Sequence, residues 1–109
     1  MTYEVSLTNQ ADSDLRSIYE YIAFDLYSPQ HAEGQLNRLE EKILKLEVFP
    51  FSHPEYENEP WKSRGLRFMP VDNYIVFFMP NVEKLTVTII RVMYGGRDVD
   101  SQLKNHTRV

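Results

Sequence analysis

The sequence predicts an α+β domain in which an N-terminal strand and a two-helix antiparallel hairpin precede a three-stranded antiparallel sheet, with the helices packed on one face. Three observations predict it. Before residue 50, apolar residues recur at helical spacing. After residue 64 they gather in β-branched and aromatic runs. Between the two lies a loop, 50–60, holding Pro50, Pro54 and Pro60.

Each element has its own signal. Tyr3, Val5 and Leu7 alternate with polar neighbours, as in a half-buried strand. Thr8 or Asn9 then caps a helix, with Asp12 and Asp14 near its positive end. Leu15, Ile18, Ile22 and Leu26 form one apolar stripe, read as core. Ser28-Pro29 restarts the chain, since proline suits a first helical turn whose N–H groups lack partners. Ala32, Leu36, Leu39, Ile43 and Leu46 give the second stripe, and so short a break implies an antiparallel pair. Pro50 stops that helix and is expected to push Phe49 into an extended conformation. Leu66 and Phe68 begin a strand, Asp72-Asn73 turns it, and Tyr74–Phe78 returns. Pro80-Asn81 ends that strand. The run from Leu85 to Val92, rich in β-branched residues, makes another. Gly95-Gly96 breaks it, and Asp98 is placed to cap a short last helix through Leu103.

Composition narrows the function classes. The 109 residues suit one domain, 1–109, and are short for two. There is no cysteine, which excludes disulfides, thiolate metal sites and cysteine nucleophiles and fits a reducing, cytoplasmic setting. Met1-Thr2-Tyr3-Glu4 has neither a basic nor an apolar leader character, and no apolar run reaches the ~20 residues of a membrane helix. Neither a signal peptide nor a membrane partner is expected. Net charge is −4, divided unevenly: residues 1–61 hold four basic and twelve acidic groups, residues 62–109 eight and four. An acidic chain is a poor general nucleic-acid binder, although the basic second half has a local surface for something anionic. His31 and His53 are isolated, so no metal is expected, and Gly95-Gly96 lacks a phosphate-loop pattern, so no cofactor is expected.

Three stretches together resemble the RelE/ParE toxin superfamily of type II toxin–antitoxin systems, nearer its ParE branch. The first is Ala11-Asp12-Ser13-Asp14-Leu15-Arg16-Ser17-Ile18-Tyr19-Glu20-Tyr21-Ile22 with Ser28-Pro29 and Ala32. The second is Gly65-Leu66-Arg67 through Val71 to Tyr74-Ile75-Val76-Phe77-Phe78. The third is Ile90-Arg91-Val92-Met93-Tyr94-Gly95-Gly96-Arg97-Asp98. The resemblance implies a growth-arresting toxin of a plasmid-stabilisation type, neutralised by a cognate antitoxin and reaching operator DNA only through that antitoxin. It also implies one of two targets. ParE-like members inhibit DNA gyrase by protein contact; RelE-like members cut mRNA on the ribosome.

RNA cleavage through the ribose 2′-OH needs a base, cations around the phosphorane and an acid for the leaving oxygen. RelE-like members carry a basic residue on the second central strand, where the resemblance places Ile75 in this chain. Their terminal tyrosine or histidine has its counterpart at Asp100, or at Tyr94 with the gap moved. The preferred expectation is therefore gyrase inhibition without covalent chemistry. The second is a nuclease with a rearranged site of Arg67, Tyr94 and Arg97, joined by His106. A third is a non-toxic member that only binds an antitoxin. Arg64, Arg67 and Arg97 are the target-binding candidates. Each has a plainer reading: Arg67 in a weak ion pair, Arg97 solvated beside a helix cap at Asp98. Arg91 reads as a structural anchor and Trp61, between Pro60 and Lys62, as the edge of a core.

Overall fold

The computed structural model describes residues 2–96 and 98–108. Strand β1 (Glu4–Leu7) leads into α1 (Asn9–Glu20), which continues as a π-helical turn (Tyr21–Asp25). Helix α2 (Pro29–Leu44) runs back and ends in a single 3-10 turn (Lys45–Glu47), with a second at Pro50–Ser52. Strands β2 (Arg67–Val71), β3 (Tyr74–Asn81) and β4 (Thr86–Tyr94) come next, then α3 (Val99–His106). The sheet order is β1-β4-β3-β2, with β1 parallel to β4 and the other pairs antiparallel. The three C-terminal strands form the antiparallel sheet expected from the sequence. The N-terminal strand adds to it in parallel, because the hairpin carries the chain across the face before the next strand begins.

Thr8 is the cap of α1: its Oγ1 accepts from the Ala11 amide at 3.0 Å and donates to the Ile90 carbonyl at 2.9 Å. One hydroxyl thus fixes the helix start and ties it to β4. The hairpin presses Ala11, Leu15, Leu39, Ile43 and Leu46 onto Met69, Val76, Phe78, Val87, Ile89 and Val92. Each of these side chains other than Ala11 contributes about 1.5–3 kcal/mol by leaving water.

The opposite face is covered as well. There Trp61, Leu66, Phe77, Ile90 and Met93 pack with Leu103 of α3. The short C-terminal helix expected from the sequence forms, with Asp98 capping the Ser101 amide at 3.2 Å, and it lies across the sheet from the hairpin. Trp61 closes this second core, only 4% exposed. A bulge divides β4 between the two cores. Phe77 faces Arg91 and Phe78 faces Ile89, so Ile90 is the extra residue. That shift sends Ile89 and Val92 to one core and Ile90 and Met93 to the other.

Two expectations need correction. The apolar stripe of α1 does not remain core as far as Leu26, which is 53% exposed. The Leu26 amide bonds the Tyr21 carbonyl, five residues back, and the Ser28 amide bonds the Ile22 carbonyl. A π turn inserts a residue relative to the α-helical period and rotates the next residues away from the core. Ala23 is the buried residue there instead. Phe49 is not extended: its φ of 52° and ψ of 46° are left-handed. Proline at 50 disfavours the right-handed helix, as expected. The chain nevertheless has to reverse at once into the 3-10 turn, where the Ser52 amide and hydroxyl both bond the Phe49 carbonyl.

Candidate functional site

Adjacent residues of a strand point to opposite sides. At the Tyr94 end of β4, that alternation opens one cavity on each side of the sheet. On the hairpin side lies a groove of about 1000 Å³ between α1, the π turn, α2 and the ends of β3 and β4. Ile18, Tyr21, Ile22 and Leu26 form one wall, and Tyr74, Val92 and Tyr94 the other. Tyr74 and Tyr94 meet edge to face with ring centroids 6.0 Å apart. Burial holds the Tyr74 hydroxyl above the usual phenol range, and the neighbouring Tyr21 and Tyr94 hydroxyls add to this, so Tyr74 stays a neutral donor. The π turn leaves apolar lining residues of the groove open to solvent: Tyr21 is 52% and Leu26 53% exposed, with Tyr94 opposite at 49%. Ser28 and His31, with Oγ and Nδ1 2.6 Å apart, line the same groove.

The groove floor holds the firmest ion pair of the described residues. Arg91 Nε donates to Asp14 Oδ2 at 2.7 Å and its Nη2 to Oδ1 at 2.9 Å. Asp14 Oδ2 also accepts the Val92 amide at 2.9 Å, just beyond the point where β1 stops pairing with β4. Arg91 Nη1 reaches the His106 carbonyl at 2.9 Å and the Thr107 hydroxyl at 3.2 Å. The hairpin, the sheet and the end of α3 are joined through this one guanidinium, the anchor role read from the sequence.

On the α3 side, a smaller cleft of about 240 Å³ is lined by Tyr56, Glu57, Asn58, Phe68, Ile75, Phe77 and Val99. Ile75 occupies the strand position at which the family resemblance expects a cation in a nuclease. The lining is mainly apolar, with one phenol, one carboxylate and one amide.

Of the sequence-derived candidates among the described residues, Arg67 and Tyr94 do not converge. Arg67, 18% exposed, donates to the His53 carbonyl at 2.6 Å and the Phe51 carbonyl at 3.2 Å, and lies 3.4 Å from Glu55. It also stacks on the Phe51 ring at 5.1 Å. Its hydrogen-bonding capacity goes into holding the loop, more than the single acidic pairing expected. Arg67 is level with Phe78 and Tyr94 with Tyr74, so β3 separates them by four residues and lies between their strands. At about 3.3 Å per residue and about 4.8 Å per strand, they are roughly 16 Å apart. Arg64 is exposed and covers the Trp61 ring at 5.2 Å. His106 offers its carbonyl to Arg91 and Gln10. Arg97 lies outside the described residues. Sequence reasoning missed the tyrosine-walled groove, because Tyr21, Tyr74 and Tyr94 come from three separate elements. The only hint was Tyr21 beside the apolar stripe.

With this geometry in view, similarity to known proteins is informative. The family model described as the ParE toxin of the type II toxin–antitoxin system, parDE, matches residues 5–99. The chain belongs to the ParE toxin family. Among solved structures it resembles the chromosomal ParDE toxin–antitoxin system from P. aeruginosa, with a TM-score of 0.69 and 19% identity over 85% of this chain and 96% of that one. It also resembles the toxin–antitoxin complex RelBE2 from Mycobacterium tuberculosis, with a TM-score of 0.64 and 21% identity over 86% and 99% of the two chains. A mutant of the E. coli toxin RelE in the free state gives 0.61 and 14% identity, covering 91% of this chain and 90% of that one. These structures share the ParE toxin's fold; at such identities they transfer nothing finer. No curated protein matches the sequence significantly. Among the described residues, no helix is long and apolar enough to cross a membrane.

Proposed function

We propose that this ParE-family toxin arrests growth by binding DNA gyrase, without covalent chemistry, and that a cognate antitoxin neutralises it by laying an apolar segment in the tyrosine-walled groove. The observation that carries the first half is the employment of the strand arginines. Arg67 is committed to loop carbonyls and Arg91 to Asp14. Ile75 stands in an apolar cleft where phosphorane chemistry needs a cation. A group engaged in holding the fold cannot also stabilise charge that develops in a transition state. The second half rests on the groove's size and its exposed apolar lining, which fits an amphipathic helix.

The deciding experiment expresses the toxin alone in a bacterial host and pulse-labels DNA and protein synthesis through the first minutes of arrest. The expected result is an early fall in DNA synthesis, with gyrase supercoiling inhibited by purified toxin. An earlier fall in protein synthesis, with cleavage of ribosome-bound mRNA, would overturn it. In that case Arg97→Ala should abolish toxicity in a folded protein. Tight antitoxin binding without growth arrest would instead mark a non-toxic family member.

A further inference from the structure

The cleft beside α3 is unexplained by either target. Its floor is Phe68, Ile75 and Phe77, and the last is fully buried in the second core. At about 240 Å³ it falls below the roughly 300–1,000 Å³ of small-molecule sites. It is the size for a side chain.

Its rim is anionic. The Tyr56 hydroxyl donates to Asp100 Oδ1 at 3.0 Å and Asn58 Nδ2 donates to the same oxygen at 3.1 Å. Both bonds tie this carboxylate of α3 to two residues that line the cleft, beside Glu57 in the same lining. Glu57 meets Lys62 at 3.4 Å in an exposed pair. Among the described residues, no cation pairs with Asp100. An apolar wall ending at a fixed carboxylate complements one kind of side chain: a long aliphatic stem with a cationic head.

We propose that this cleft is a subsite for an arginine of the antitoxin, its stem against Phe68 and Ile75 and its guanidinium on Asp100. The inference rests on the proposed antitoxin groove, and the choice of occupant comes from continuity with it. Tyr74 lines the groove and its neighbour Ile75 lines the cleft. A segment leaving the groove around that end of the sheet arrives at the cleft. An arginine suits the site better than a lysine, because its weakly hydrated planar guanidinium stacks on an aromatic wall while it donates to Asp100 Oδ2, the oxygen that Tyr56 and Asn58 leave free.

The test uses the full-length toxin with labelled isoleucine and valine methyl groups, followed by NMR. The probes are acetyl-Ile-Arg-Leu-amide and the same peptide with citrulline, which keeps the shape and removes the charge. The arginine peptide is expected to shift the Ile75 and Val99 methyl resonances saturably, and citrulline to bind at least tenfold more weakly. Asp100→Asn, which can still accept from Tyr56 and Asn58, is expected to remove the preference for arginine over citrulline. Equal binding of both peptides, or no shift at millimolar concentration, would overturn the assignment. In the purified toxin–antitoxin complex, the same methyl groups should move as they do with the arginine peptide. Unmoved resonances there would overturn the antitoxin as occupant. Growth arrest by the wild-type toxin is scored separately, so loss of the cleft assignment and loss of the toxin reading remain distinguishable.

Discussion

Asp14 and Arg91 are 15% and 12% exposed at their side chains and depend on one another. Removing one partner of a fully buried pair costs about 3–5 kcal/mol, because the other is left charged out of water. Residual solvent contact lowers this, and Arg91→Met should destabilise the toxin by about 2–3 kcal/mol, read from urea denaturation. A loss below about 0.5 kcal/mol would mean that the pair holds nothing together. His53 gives a pH signature at the same scale. Partial burial, and then the Arg67 charge beside it, hold its pKa below the usual 6.5. The unfolded chain therefore binds the proton first as pH falls. The His53 contribution is full above pH 6.5 and is lost as pH drops through the lower, folded value. His53→Gln should flatten the fall in melting temperature between about pH 7 and pH 5; an unchanged slope would place its origin elsewhere.

At the scale of elements, α3 depends on one side chain. Leu103 is fully buried in the second core, and its removal leaves a cavity beneath an eight-residue helix. Leu103→Ala should cost about 2–5 kcal/mol. Amide exchange in residues 99–106 should accelerate more than in α1 or α2, whose contacts lie on the other face. Uniform acceleration across all three helices would show that the two cores unfold as one. The π turn is the second element of interest. By turning Leu26 outward it creates exposed apolar surface and a groove wall together, and such insertions are frequent at functional sites.

For the whole molecule, that wall separates stability from recognition. Leu26→Glu replaces a half-exposed side chain and should leave the denaturation midpoint nearly unchanged, since surface substitutions stay within about 0.5 kcal/mol. It should weaken antitoxin binding at least tenfold by calorimetry, because it puts a carboxylate into an apolar interface. Unaltered affinity would move the antitoxin out of the groove. The acidic balance of residues 1–61 points the same way, toward a partner that brings its own positive charge.

How much of this was legible depends on the range of the interaction responsible. The element order, a first helix cap at Thr8 or Asn9, the Asp98 cap, the restart at Ser28-Pro29, the strand runs and the family motifs are all readable from the chain alone. These rest on periodicity and on bonds between residues close in the chain. Ile75 could also be placed where a nuclease would need a cation, because a strand position can be counted. The folded molecule was needed for the parallel addition of β1, the second core beneath α3, and the engagement of Arg67 by carbonyls 14 and 16 residues away. It was needed for the pairing of Arg91 with an aspartate 77 residues distant. The same holds for the phase shifts at the π turn and at the Ile90 bulge, each an added residue that leaves no mark in a hydrophobic pattern. A pattern records which residues avoid water. Which face they reach, and which partner they find there, is settled only when distant segments compete for the same space.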